Sequence, residues 1–159
     1  MLHFNNVLTQ SEIDTVTNNL SDSKWGFGFT STDPDKPIWN YNTEAGKPVA
    51  ELVASKLLDY TLLSWNINGQ TIGQNGAWHQ DSYEDCTHAF IYFFQDWNYT
   101  WGGRLHLSHK GGPTIITPER NIGILFDASI YHYAEAPTVN NVMRISVGLK
   151  LKENVWGCP

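Results

Sequence analysis

Trp78-His79-Gln80-Asp81 places an imidazole and a carboxylate two positions apart. On an extended backbone, residues at that spacing project from one face, so His79 and Asp81 stand side by side. A second imidazole follows far along the chain in Tyr131-His132-Tyr133. If the fold sets His132 beside the pair, the three make the two-histidine, one-carboxylate face that suits non-haem Fe(II) and leaves coordination positions open. Arg144 lies in a stretch where Met143, Ile145, Val147 and Leu149 alternate with Arg144, Ser146, Gly148 and Lys150. The apolar set needs a cover, and the polar set turns Arg144 inward, where a guanidinium requires an anion. A 2-oxo acid fits both features. Its carboxylate and keto oxygen can chelate the metal, and a second, distal carboxylate can pair with the planar guanidinium of Arg144.

The elements that must hold these residues follow from patterning. The chain has 159 residues, 41% of them hydrophobic, which is enough for one packed domain and too few for two ordinary ones. Thr9-Gln10-Ser11-Glu12 is a capping box ahead of Ile13, Val16 and Leu20, predicting a helix over 11–20. Val49, Leu52, Val53, Leu57 and Tyr60 predict a second helix over 48–60, with Pro48 in its first turn. Between them, 21–42 is rich in turn residues and aromatics and reads as a hairpin or a long loop, its aromatics packed beneath the surface or gripping a substrate.

Beyond residue 64 the period changes. Short, punctuated strands are predicted over 65–72, 78–81, 89–95, 104–107, 114–116, 121–126 and 142–149. Helices first and strands afterwards imply a mainly β single domain: a double-stranded β-helix, or jelly roll, over 64–152, with a supporting layer of N-terminal α-helices and a loop over 1–63.

A net charge of −6 and a pI near 5.4 leave no basic stripe for a phosphate backbone, and no run approaches the roughly 20 apolar residues that span a bilayer. Neither nucleic acid nor membrane is expected as a partner. Met1-Leu2-His3-Phe4 lacks the basic start and apolar core of a signal peptide, so the expected location is cytoplasmic, with Cys86 and Cys158 both reduced. The expected oligomeric state is a monomer or homodimer.

The chain resembles the Fe(II)/2-oxoglutarate-dependent dioxygenases of the prolyl 4-hydroxylase type. The resemblance runs from about residue 65 to 150. It rests on His79-Gln80-Asp81, the strand from Phe90 to Trp97, Trp101-Gly102-Gly103-Arg104-Leu105, Asn121 to Phe126, Tyr131-His132 and Arg144-Ile145-Ser146. It implies that His79, Asp81 and His132 ligate Fe(II) and form the catalytic centre, and that Arg144 pairs with the distal carboxylate of 2-oxoglutarate. Tyr92 matches a tyrosine that contacts the same carboxylate in the oxygen-sensing branch, and Leu105 matches an apolar wall of that pocket. Ser146 shares the inward face with Arg144, either assisting the carboxylate or filling space. The implied cofactors are Fe(II), 2-oxoglutarate and O2, with ascorbate as reductant. The implied acceptor is a prolyl residue in a protein or peptide, with a free amino acid or small metabolite next. Two departures set this chain apart, Arg104 where relatives often carry an acid and arginine, not lysine, at 144. A non-redox, cupin-like metal-binding module recruiting His106 and His109 is the alternative. His88, His106 and His109 are otherwise read as structural. The loop from Trp97 to Trp101 and the segment from Trp25 to Tyr41 are expected to wall the substrate entrance.

Overall fold

In chain order the elements are β1 (Leu2–Asn5), α1 (Gln10–Asn19), β2 (Trp25–Phe29), β3 (Ile38–Tyr41), α2 (Thr43–Ala54), β4 (Tyr60–Gln70), β5 (Thr87–Phe93), β6 (Leu105–His109), β7 (Gly112–Ile116), β8 (Ile122–Asp127), β9 (Tyr131–Ala134) and β10 (Arg144–Glu153). This computed structural model describes residues 1–154. A seven-stranded antiparallel sheet runs in the order β1-β8-β5-β10-β4-β3-β2, and a three-stranded sheet in the order β7-β6-β9. The two sheets form the expected jelly roll.

The long central pair fixes which side chains face where. β10 pairs with β4 so that Arg144, Ser146, Gly148 and Lys150 oppose Gln70, Asn68, Asn66 and Ser64, all on one face. Ile145, Val147 and Leu149 oppose Gly69, Ile67 and Trp65 on the other. That second face is apolar, and α1 and α2 cover it. Val16, Val49, Val53, Phe90, Tyr92, Val147, Leu149 and Leu151 meet there in the main core. A second core fills one end of the space between the sheets, where Ala89, Phe93, Leu105, Leu107, Ile124 and Phe126 pack together.

Helix α1 starts as its capping box dictates, Thr9 Oγ1 accepting from the Glu12 N–H and the Thr9 N–H donating to the Glu12 carboxylate at 2.8 Å. Helix α2 begins five residues earlier than its apolar spacing predicts. Asn42 caps it by accepting the Ala45 N–H at 3.0 Å, so Pro48 lies inside the helix instead of in its first turn. Its predicted end belongs to a turn and to β4, which begins at Tyr60.

Three further expectations are corrected. Residues 1–63 are more than helical support, because β1, β2 and β3 all join the large sheet; the aromatics of 25–41 form a hairpin, Trp25 opposite Tyr41 and Phe27 opposite Trp39. The strand predicted over 78–81 reduces to a single bridge, His79 with His132. Cys86 is disulfide-bonded, not reduced. Its carbonyl accepts the Glu153 N–H at 3.0 Å, so the end of β10 returns beside it across a sequence separation that spacing alone does not reveal. Cys158 lies outside the described residues.

Candidate metal centre and its cavity

His79 and His132 are held together by their own backbones. The His79 N–H donates to the His132 carbonyl at 3.0 Å and the His132 N–H to the His79 carbonyl at 2.9 Å, which sets the imidazole centroids 4.3 Å apart. The next turn of chain is pinned to the β8–β9 connection. The Asp81 N–H donates to Ala128 O at 2.9 Å, and the Gln80 amide donates to Ser129 O. The Asp81 carboxylate therefore reaches both rings, with Oδ1 3.5 Å from His79 Nε2 and Oδ2 3.6 Å from His132 Nε2.

Ligand atoms from all three residues lie within 4.8 Å of one another. The far side of each ring is also committed. His79 Nδ1 lies 2.9 Å from Ala77 O and His132 Nδ1 lies 2.9 Å from Ile130 O. A carbonyl oxygen only accepts, so each Nδ1 carries a proton, which leaves Nε2, beside Asp81, as the ring nitrogen that a metal can take. This is the outer support that orients metal-binding histidines. Phe126 packs edge-on against His132, centroids 5.0 Å apart, and His132 is buried.

Burial lowers the basicity of His132. For His79, burial pulls the same way, but the hydrogen bond to Asp81 and the Ala77 carbonyl outweigh it and raise the value. Asp81 pays a desolvation cost that the two imidazoles and Lys150 more than offset, so its carboxyl stays below the usual range.

Arg144 is the largest fully buried side chain of the described residues, at 1% exposure. Its Nε donates to Gly103 O at 2.6 Å, one Nη to Gln70 Oε1 at 3.0 Å and to Ser146 Oγ at 3.3 Å, and its guanidinium carbon sits 4.9 Å above the Phe93 ring. Among the described residues it forms no ion pair. Desolvation brings its pKa down to about 10, so it remains a cation at neutral pH. The Gly102-Gly103 pair makes this possible. Both have left-handed φ, of 71° and 72°, and a Cβ at Gly103 would lie 2.9 Å from Trp97 and 3.1 Å from the Arg144 side chain.

His79, Asp81, His132, Arg144, Ser146 and Leu105 all line one cavity of about 320 Å³ between the sheets. These are six of the seven residues expected to form one site, and the fold brings them to one cavity. The sequence reading placed Tyr92 wrongly. Tyr92 points to the helix side, its hydroxyl donating to Asn121 Oδ1 at 3.0 Å, among Phe90, Phe94 and Val147. The alternation of β5 puts Ile91 and Phe93 inward, so Tyr92 faces away.

His106 and His109 also stay outside. His106 stacks on Tyr133 and lies 3.1 Å from Glu135, which Arg104 grips with two hydrogen bonds of 2.6 and 2.9 Å; His109 contacts Thr114. The recruitment that a cupin-like module needs is therefore not met. His88 stacks edge-on against Tyr60. The connection after β2 does line the cavity, through Phe29, Ser31 and Thr32, whereas Trp97, Tyr99 and Trp101 line a separate surface groove. Residues the sequence reading missed are Gln70, Phe93, Asn66, Asn68 and Lys150. The strand alternation carried the signal for Gln70 and Lys150, and the pairing register was what it lacked.

Neither a protein-family model nor a curated protein sequence matches the chain. Solved structures do. A prolyl hydroxylase from Trichoplax adhaerens, in complex with a hypoxia inducible factor oxygen degradation domain peptide, is 18% identical with a TM-score of 0.68, covering 96% of this chain and 83% of its own. A 2OG-Fe(II) oxygenase family oxidoreductase from Burkholderia pseudomallei is 11% identical at TM-score 0.71, covering 95% and 84%. The α-ketoglutarate-dependent epimerase SnoN of nogalamycin biosynthesis is 11% identical at 0.65, covering 96% and 76%. The chain has the jelly-roll fold of the 2-oxoglutarate, Fe(II) oxygenases and prolyl hydroxylases.

Proposed function

We propose that the chain is an Fe(II)- and 2-oxoglutarate-dependent oxygenase that hydroxylates a C–H bond, with a prolyl residue of a peptide as acceptor. One observation carries the reading: a preoriented His79–Asp81–His132 face shares a cavity with a buried guanidinium that has no carboxylate of its own. Imidazole and carboxylate suit Fe(II), and three ligands on one face leave room for a chelating co-substrate and dioxygen. When bound, iron and 2-oxoglutarate supply the oxidising chemistry, one oxygen atom of O2 entering succinate as CO2 leaves and the other entering the substrate C–H bond.

The chain's own residues bind, orient and exclude water. His79 and His132 each offer Nε2 because Ala77 O and Ile130 O hold the opposite nitrogen. Arg144 receives the distal carboxylate of the co-substrate, its planar fork aimed by Gly103 O and Gln70 and steadied by Phe93. Ser146 hydrogen-bonds Arg144 and Leu105 keeps one wall of that end dry. The prolyl acceptor draws on the fold shared with the Trichoplax enzyme, and on the β2–β3 connection at the cavity.

The test is purified protein loaded anaerobically with Fe(II), then given 2-oxoglutarate and air. Succinate should form in step with 2-oxoglutarate loss, and ascorbate should prolong turnover. Protein that binds no iron and makes no succinate under these conditions overturns the reading.

A further inference from the structure

Two cations lie on the cavity face of β10. Arg144 is at its start and Lys150 is six residues on. At about 3.3 Å per residue they are anchored roughly 20 Å apart along the strand, far more than a five-carbon diacid spans. The distal carboxylate that Arg144 would hold is therefore not the one nearest Lys150, whose charge acts on Asp81. Arg144 is wholly buried and held by three hydrogen-bond partners. Lys150 is half-buried, and among the described residues its ammonium makes no hydrogen bond or ion pair.

Its surroundings are those of a ligand site. Lys150 pairs in register with Ser64, and Gly148 with Asn66, so a run of Ser64, Asn66 and Asn68 borders it on the same face. Asn66 has no side-chain partner among the described residues either. Gly148 leaves the floor open between them, where a Cβ would come 3.5 Å from Asn66 O and 3.6 Å from Ile91. Phe29 at the end of β2 and the exposed Ser31 and Thr32 that follow it also line the cavity.

The charge balance points the same way. The lining carries Arg144 and Lys150 against one carboxylate, Asp81. A divalent metal raises the sum to three positive charges, and dianionic 2-oxoglutarate removes two. One positive charge is left at the Lys150 end, in a chain whose net charge is −6. Such a concave, oppositely charged site selects anions from solution.

We propose that Lys150 is the anion-binding residue of the substrate half of the cavity. The molecule oxidised carries a carboxylate that seats on Lys150, with Asn66 and Ser64 beside it, while its C–H bond lies at the His79–Asp81–His132 centre. This rests on the oxygenase reading and adds a substrate class to it, an acid such as a free or N-acylated amino acid, or an acidic residue beside the target in a peptide.

Matched acid and amide probes test it by binding, independently of turnover. Protein saturated with Mn(II) and 2-oxoglutarate is titrated by calorimetry with N-acetyl-L-proline, then with N-acetyl-L-prolinamide, then with a Pro-containing pentapeptide carrying Glu or Gln beside the proline. In at least one pair the acid should bind tenfold or more tightly than its amide, which is about 1.4 kcal/mol. The pair that responds identifies the source of the carboxylate. Lys150→Gln should abolish the difference and Lys150→Glu should invert it. Equal binding of acid and amide, no binding of any probe, or a preference that survives in Lys150→Gln overturns the proposal. Failure of the oxygenase reading has a separate sign, namely no uptake of Mn(II) and 2-oxoglutarate before any probe is added.

Discussion

On β10, Val147 and Leu151 are buried beneath α1 and α2, whereas Arg144, Ser146 and Lys150, one position away on the same strand, face the cavity. The two faces of one sheet thus do opposite jobs. The helix-side face removes apolar area from water at roughly 25 cal/mol per Å² and holds the fold together. The cavity face buries a guanidinium with no ion pair, a choice that lowers stability and makes sense for a ligand. Substitutions on the two faces should therefore separate cleanly, binding changing on one and stability on the other.

The largest separation is expected at the metal centre. Asp81→Ala should lower metal affinity by more than about 100-fold, beyond the usual loss for an outer-shell partner, and abolish succinate formation. Thermal unfolding of the metal-free variant should stay close to that of the parent. Retained metal binding, measured by equilibrium dialysis, would break the comparison at its strongest point.

Arg144→Met and Leu151→Ala form the next test, as a crossed pair. Removing the guanidinium that a bound carboxylate needs costs about 2–5 kcal/mol in co-substrate binding, a rise of roughly 30-fold or more in the 2-oxoglutarate KM. The stability of Arg144→Met should hold or rise, since the desolvated charge is gone. Leu151→Ala, in the helix-side core and outside the cavity lining, should do the reverse, losing about 2–5 kcal/mol of stability with KM unchanged. Chemical denaturation and a KM series on both variants decide the matter. A KM effect in Leu151→Ala as large as in Arg144→Met would mean that the faces are not independent.

Tyr92→Phe sharpens the boundary between them. Its hydroxyl donates to Asn121 Oδ1, and Asn121 in turn holds Leu8 through hydrogen bonds of 2.9 and 2.7 Å. The variant should lose about 1 kcal/mol of stability and leave the 2-oxoglutarate KM unchanged. A several-fold rise in KM would return Tyr92 to the co-substrate pocket.

Tyr92 also shows where sequence stops informing. The alternation of β10 and the capping box of α1 are local, and both were legible because each depends on residues a few positions apart. His79, Asp81, His132 and Arg144 were legible because their types are chemically unusual together. Which face of β5 turns inward was not, because Phe90, Ile91, Tyr92 and Phe93 are all apolar enough for either side and only the pairing with β8 and β10 decides. The disulfide at Cys86 and the part of the β2–β3 connection in the cavity lining depend equally on long-range register. Asn42, which starts α2 early, was legible in principle as an N-cap residue; the apolar spacing beginning at Val49 concealed it.

The outer face of the smaller sheet supplies a control in which a part-buried charge has its own partner and lies outside the cavity lining. Glu135 is held by the two hydrogen bonds from Arg104, which bring its carboxyl from 4.5 down to about 2, with His106 adding to the effect. Because the folded value lies below the unfolded one, the stabilisation is complete above about pH 4.5 and is lost as pH falls toward 2. Arg104 is 44% exposed, so solvent screening holds the contribution to about 1 kcal/mol or less, a shift of roughly 2–4 °C in Tm. Glu135→Gln should accordingly melt below the parent at pH 6, converge with it near pH 2, and lose most of the gap in high salt. Turnover at pH 7 should change little, since the pair lies outside the cavity lining and reaches Arg144 only through the charge of Glu135. A gap that persists at pH 2 would assign Glu135 a packing role, and a loss of turnover would extend the functional region through the smaller sheet to its outer face.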